Sequence, residues 1–346
     1  MRILLTADAE LPVPPRLYGG IERIIASLVQ EFRRRGHQVA LVAHRESTVP
    51  NDAFFPWPTL SSTRVMDHWK NGLALRKAVG RFRPDVVHSF SRLLWLLPLL
   101  PSSVPRIMSY QRAPTGRTVA WSHRLHGHRL KFTGCSEHIA AAGRGSRGEW
   151  NAIPNFIDPD RFSFVPKVPE DAPLVFLSRI ERIKGTHTAI AIAMASKRRL
   201  IIAGNRVDSL EGKRYWQQEI GPLLEPGKID YIGPVDDAQK NALLGGAAAM
   251  VVPIEWDEPF GIVFAEALAC GTPIISSPRG SALEIVRPGT NGFLVGSVDE
   301  GAKAVDRISA LNRAQCRADV EARFSVSVVA QQYLNLYSRV IENSAS

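Results

Sequence analysis

The chain has 346 residues, enough for two domains with a core each, and an ordinary 45% hydrophobic and 22% charged content. Its three cysteines, Cys135, Cys270 and Cys316, are odd in number and far apart, which argues against a disulfide framework or thiolate metal site and suits a reducing cytoplasm. The net charge of +10 is uneven: residues 1–155 carry 22 Lys and Arg against 10 Asp and Glu, residues 156–346 carry 21 against 23.

In chain order, Ile3–Leu5 reads as a strand rather than a secretory leader, because polar residues follow within a few positions. Tyr18-Gly19-Gly20-Ile-Glu22 comes next. Paired glycines let backbone approach a ligand, and a helix start offers free amides, although a plain tight turn fits equally well. The spacing is not the dinucleotide fingerprint, which speaks against a nicotinamide-dependent oxidoreductase. From Gly20 to Arg35 the apolar residues Ile21, Ile24, Ile25, Leu28, Val29 and Phe32 fall on one helical face, and Gly36 ends that helix. Val39–Val42, Val86–His88, Arg106–Ser109 and Lys131–Thr133 read as further strands. Leu93–Leu100 is the most apolar run, but Pro98 breaks it and it is far shorter than the roughly 20 residues of a membrane span.

The basic excess is densest from Arg112 to Lys131, where helical spacing puts Arg117, Trp121, Arg124 and His128 on one stripe. Such a stripe suits an acidic membrane face or an anionic, lipid-linked acceptor. It equally suits a solvated helix with Trp121 turned into the core. With no zinc-finger spacing, RNP motif or basic-region heptad, nucleic acid is not an expected partner.

A Pro-rich linker follows from Ile153 to Pro173. Beyond it, Leu174–Leu177, Leu200–Ala203, Ile229–Ile232, Ala249–Val252 and Pro273–Ile275 read as strands, with helices near 184–197, 237–244 and 261–269 and a last one from Val326 to Ile341. Strands alternating with helices in both halves predict an α/β protein whose ligands lie at strand carboxyl ends. The expected domains are 1–160 and 166–325, the helix from about 326 packing back on the first.

Two groups in the second half carry chemistry. Leu177-Ser-Arg179-Ile-Glu-Arg-Ile-Lys184-Gly185 follows a strand, where Arg179 and Lys184 can converge on a diphosphate, although a solvated basic loop looks similar. Glu258-Pro-Phe-Gly-Ile-Val-Phe-Ala-Glu266 spaces two carboxylates across a turn in which Phe260 and Gly261 are expected to open a helix. Eight helical residues rise about 12 Å, too far for the 5 to 9.5 Å of paired glycosidase carboxyls. One extended ligand gripped at two points fits better.

In this order and spacing these elements resemble the retaining glycosyltransferases of family 4, which have the GT-B fold: two doubly wound Rossmann-like domains facing a central cleft. The resemblance extends to Pro84-Asp-Val-Val-His88, Ile153-Pro-Asn155, Asp230-Tyr-Ile-Gly233-Pro-Val235, Asn291-Gly292-Phe-Leu-Val and the Tyr333–Ile341 helix. It implies transfer of a sugar from a nucleotide sugar, UDP favoured over GDP from family habit, to a hydroxyl acceptor in surface polysaccharide, lipopolysaccharide or glycolipid synthesis. Glu258 would hold the sugar hydroxyls beside the Phe260, Gly261 and Ile262 amides, Glu266 the ribose, and Arg179 and Lys184 the diphosphate. Ile232 and Val235 would border the base, and Gly19 and Gly20 would close on the phosphates. His88 reads equally as a sugar contact or a satisfied structural histidine. Where the family often has histidine, this chain has Gln111, which can donate but cannot become cationic. No D-x-D lies between strands, and Asp158-Pro-Asp160 sits in the linker, so no metal or other cofactor is expected. A GT-B epimerase or phosphorylase, or a non-catalytic sugar-nucleotide binder, remains the alternative. The expected location is the cytoplasm, at the inner face of the membrane.

Overall fold

The computed structural model describes residues 1–15, 19–60 and 64–345, so Tyr18 lies outside the described residues. It divides into two compact units, Met1–Phe156 with the chain from Val326 onward, and Ile157–Ser325.

In the first unit, strands β1 (Arg2–Thr6), β2 (Gln38–Ala43), β3 (Ala53–Pro56), β4 (Val86–Ser89), β5 (Arg106–Tyr110), β6 (Leu130–Gly134) and β7 (Trp150–Ala152) form one parallel sheet in the order β3-β2-β1-β4-β5-β6-β7. Helices α1 (Gly20–Arg34), α2 (Val65–Phe82), α3 (Gly116–His126) and α4 (Glu137–Arg144) connect them. In the second unit, β8 (Leu174–Leu177), β9 (Leu200–Ala203), β10 (Ile229–Gly233), β11 (Ala249–Val252), β12 (Ile274–Ser276) and β13 (Gly292–Leu294) pair in parallel in the order β10-β9-β8-β11-β12-β13. Its helices are α5 (Thr186–Ala195), α6 (Leu210–Tyr215), α7 (Asp237–Gly246), α8 (Ile262–Ala269), α9 (Ala282–Ile285), α10 (Val298–Arg307) and α11 (Arg313–Phe324), and α12 (Val326–Ala345) returns to the first unit.

Strands such as β8 and β11 are buried along their whole length because helices cover both faces, hence their unbroken apolar runs. In both sheets the strand order reverses once, between β1 and β4 and between β8 and β11. Open α/β sheets bind ligands at the strand ends beside that reversal. The chain leaving each reversal strand therefore carries the candidate residues.

Two buried polar devices hold the units together internally. Arg313, on α11, donates to the carbonyls of Val165, Gly245 and Ala247 at 2.7, 2.8 and 2.8 Å, fastening the linker to the carboxyl end of α7. In the first unit Phe32 of α1 meets Tyr337 of α12 edge-on at 5.7 Å. Tyr337 also hydrogen-bonds Nδ1 of the fully buried His88 at 2.6 Å, while His88 Nε2 bonds the Ser109 hydroxyl at 2.6 Å.

Leu93–Leu99 forms a 3-10 turn with Trp95, Leu96 and Leu99 buried, so this run is packing. Arg117, Trp121 and Arg124 lie on α3, which ends at His126, so His128 falls on the 3-10 turn beyond it. Trp121 is half exposed, not in the core, and Leu125 is exposed beside it.

Burial pushes the His88 imidazole down to about 3. It is therefore neutral in the folded chain, whereas the unfolded one takes up a proton near pH 6.5. Stability from this site is complete above that pH and is lost as pH falls from 6.5 toward 3, by about 1.4 kcal/mol per unit. Urea unfolding at pH 7.5 and 5 should show this loss. His88→Gln, which cannot titrate, should show a shallower dependence; equal slopes would contradict it.

Candidate active site

The site is built where β8 and β11 end. After β8 the chain makes the loop Ser178–Gly185, closing in a 3-10 turn, Arg182–Lys184, before α5. Gly185 has φ +76°, and a Cβ there would lie 2.0 Å from the Pro253 carbonyl oxygen, so only glycine lets this loop press on the exit of β11. The Glu255 amide donates to the Ile183 carbonyl at 2.8 Å, and the His187 ring meets Glu255 at 2.8 Å and the Tyr215 hydroxyl at 2.8 Å. The two loops are stapled together.

This stapling brings Lys184 to Glu258. Their side chains are 10% and 13% exposed, and Lys184 Nζ donates to Glu258 Oε2 at 2.5 Å. Trp256 completes the group: its indole N–H donates to the same oxygen at 3.0 Å, and the Lys184 ammonium lies 4.5 Å over its ring. Gly280, at φ +53°, leaves room for the Glu258 backbone, which a Cβ would strike at 2.4 Å, and the Ser281 amide donates to the Glu258 carbonyl at 2.9 Å. Trp256 and Gly280 escaped the sequence reading. Trp256 was legible only as a neighbour of Glu258, and Gly280 had no motif to mark it.

Glu258 does not share a helix with Glu266. Helix α8 begins at Ile262, with Gly261 as its N-cap in the left-handed region at φ +69°, so Glu258 belongs to the turn before it and the helical spacing between the two fails. Glu266 sits within α8 and pairs with Lys240 of α7 at 2.7 Å, a partner the sequence reading also missed. Phe260 is buried edge-on against Phe324 at 5.4 Å, so only its backbone is available. Ile262 opens the helix, whose first amides lack intrahelical partners. Arg179 pairs with Glu181 at 2.7 Å and remains half exposed, not drawn into the Lys184–Glu258 group. Ile232 is exposed and Val235 half-buried at the end of the edge strand β10.

In the first unit Gly20 opens α1, and Gly19 precedes it at φ +152°, where a Cβ would crowd Pro15 at 2.7 Å and the Glu22 carboxylate at 2.8 Å. Burial, with the charges of Asp8 and Glu10, raises the affinity of Glu22 for its proton. Gln111 follows β5, and its side-chain oxygen accepts from Asn155 Nδ2 at 2.7 Å, leaving the amide nitrogen as donor. Of the two readings of His88, the structure matches the structural one: both ring nitrogens are engaged and no part of it is exposed. Among the described residues no group of three or more His, Cys, Asp or Glu is arranged to hold a metal ion.

Comparison with known proteins identifies the family and the fold. Residues 18–161 match the model for Glycosyltransferase Family 4, and residues 159–323 match that for Glycosyl transferases group 1. The chain belongs to the family 4 glycosyltransferases. Among its relatives, the phosphatidyl-myo-inositol mannosyltransferase of Mycobacterium leprae is 27% identical, covering 98% of this chain and 97% of that protein. The glycogen synthase of Mycobacterium tuberculosis is 26% identical, covering 96% and 94%. Among solved structures, a glycosyltransferase from Rickettsia africae superposes with a TM-score of 0.81 at 17% identity, covering 99% of each chain. The Anabaena protein HepE, solved with UDP and glucose, superposes at 0.73 with 19% identity, covering 98% of this chain and all of that one. The fold is GT-B, with two Rossmann-like units.

Proposed function

We propose that this glycosyltransferase moves a sugar from a nucleoside-diphosphate sugar, with UDP as the nucleotide, to a hydroxyl of an anionic or lipid-linked acceptor, retaining the anomeric configuration. The observation that carries this reading is the Lys184–Glu258 pair at the reversal of the second sheet. A cation and a carboxylate held side by side match the two ends of a sugar diphosphate, a phosphate oxygen and a sugar hydroxyl. Glu258 takes the sugar hydroxyls, with the amides from Phe260 to Ile262 near the phosphate. Glu266 takes the ribose, Arg179 and Lys184 the diphosphate, and Ile232 and Val235 the edge of the base. In the first unit Gly19 and Gly20 offer backbone amides, and Gln111 a side-chain N–H, to a phosphate or hydroxyl-bearing ligand.

The reaction is written as a front-face displacement. The bond from the anomeric carbon to the diphosphate oxygen lengthens, the acceptor oxygen bonds that carbon on the same face, and its proton passes to the departing phosphate oxygen. No side chain acts as nucleophile and no metal is required. Arg179 and Lys184 stabilise the charge that develops on the leaving group, and a fixed site does this without reorganising.

The first unit, which carries the positive excess, is assigned to the acceptor. Supporting this, α3 exposes Trp121 and Leu125 beside Arg117 and Arg124, and α2 exposes Val65, Met66, Trp69 and Leu73. Aromatic and apolar side chains among basic ones suit the interface of an acidic membrane, reached from the cytoplasm. The mannosyltransferase relative is itself named for a lipid acceptor. No helix among the described residues is long and apolar enough to cross a membrane.

Arg179→Ala or Lys184→Ala should each lower kcat at saturating donor by about 10²- to 10³-fold. Both should still unfold cooperatively, Arg179→Ala at the wild-type midpoint and Lys184→Ala at a lower one, because it leaves Glu258 unpaired. Near-normal turnover would refute the assignment. The chain should sediment with anionic vesicles at low salt and not with neutral ones; equal behaviour with both would end the membrane reading.

A further inference from the structure

Beside the diphosphate grips lies a second cluster that the roles above leave unused. At the carboxyl end of β9, Gly204 has φ +137°, and a Cβ there would lie 1.8 Å from the Ser178 carbonyl oxygen. The chain beyond β9 is thereby pressed against the loop that carries Arg179. Asn205 accepts from the Ile180 amide at 2.8 Å, and Arg206 forms a parallel bridge with Ile180.

Arg206 then lies over an aromatic shelf. Its guanidinium carbon is 4.8 Å from the ring centroid of Trp216, and Trp216 leans on Tyr231 at 4.6 Å. The Tyr231 hydroxyl donates to the Gly204 carbonyl at 2.9 Å, tying the shelf back to β9. Trp216 begins a single π-turn, Trp216–Ile220, a distortion that recurs at functional sites. Next to Tyr231, Ile232 is 51% exposed. Neighbouring cations are already neutralised, Arg179 by Glu181 and Arg182 by Glu219. Among the described residues no carboxylate pairs with Arg206, so its in-plane N–H groups are uncommitted.

We propose that Arg206, laid on Trp216, reads the donor nucleobase and selects a keto base, uracil or guanine, over an amino base, cytosine or adenine. This rests on the nucleotide-sugar reading above and names the specificity of that same site. A guanidinium has donors only. Uracil offers a carbonyl acceptor where cytosine offers an amino donor, and guanine offers one where adenine has its amino group. Trp216 beneath it restricts where the exposed guanidinium can sit, so less ordering is needed for its N–H groups to meet an acceptor edge.

The test is calorimetric binding of UDP, CDP, GDP and ADP to the full chain, with preferences compared within each ring size. Wild type should bind UDP over CDP, or GDP over ADP, by about tenfold or more. Arg206→Ala and Arg206→Lys should bring that ratio close to one, Lys restoring charge but not the planar fork. Lys184→Ala should weaken all four diphosphates and leave the ratio intact. An unchanged ratio in Arg206→Ala, or a wild-type preference for the amino bases, would overturn the proposal while leaving the diphosphate site standing. Failure of wild type to bind any of the four would overturn the nucleotide-sugar reading itself.

Discussion

The site depends on one topological constraint, the reversal of strand order between β8 and β11. At that reversal the connections from the two adjacent strands run off in opposite directions, and the strand ends are left uncovered. The chain leaving β8 supplies Lys184 and the chain leaving β11 supplies Glu258, so residues 74 positions apart meet at 2.5 Å. Gly185 sets how closely the two connections approach, because any side chain there would collide with Pro253.

The charges of this region neutralise each other locally. Lys184 is balanced by Glu258, Glu266 by Lys240 and Arg179 by Glu181. Removing one partner of a largely buried pair leaves an uncompensated charge, at a cost of about 3 to 5 kcal/mol. The carboxylates thus hold the cations in fixed positions before a ligand arrives, and electrostatic stabilisation of a leaving group requires such fixed positions. Trp256 adds an N–H to Glu258 and a ring face to Lys184, fixing both members at once.

Much of the fold was legible because parallel strands buried on both faces must be apolar throughout. Leu174–Leu177, Leu200–Ala203 and Ala249–Val252 appear in the structure at those bounds. The edge strand β3, Ala53–Pro56, was not, since it has no β-branched residue, ends in proline and is only half-buried. Helix α2 was passed over because its apolar residues divide between a buried face (Leu75, Val79 and Phe82) and an exposed one (Val65, Met66, Trp69 and Leu73). The candidate residues were legible as types in motifs, but their pairings were not. Lys240 lies 26 residues from Glu266, and Tyr337 lies 249 from His88. A histidine at a strand end looks the same in sequence whether its ring nitrogens meet a ligand or two buried hydroxyls. Helix continuity across Pro259 was the other illusion, because the left-handed Gly261 starts the helix after Glu258.

A crystal structure of the full chain with a nucleoside-diphosphate sugar bound tests the central claim most directly. Its diphosphate should lie within hydrogen-bond distance of Lys184 Nζ, with sugar hydroxyls on Glu258 and ribose hydroxyls on Glu266. A nucleotide sugar bound elsewhere on the chain, with Lys184 paired only with Glu258, would contradict it.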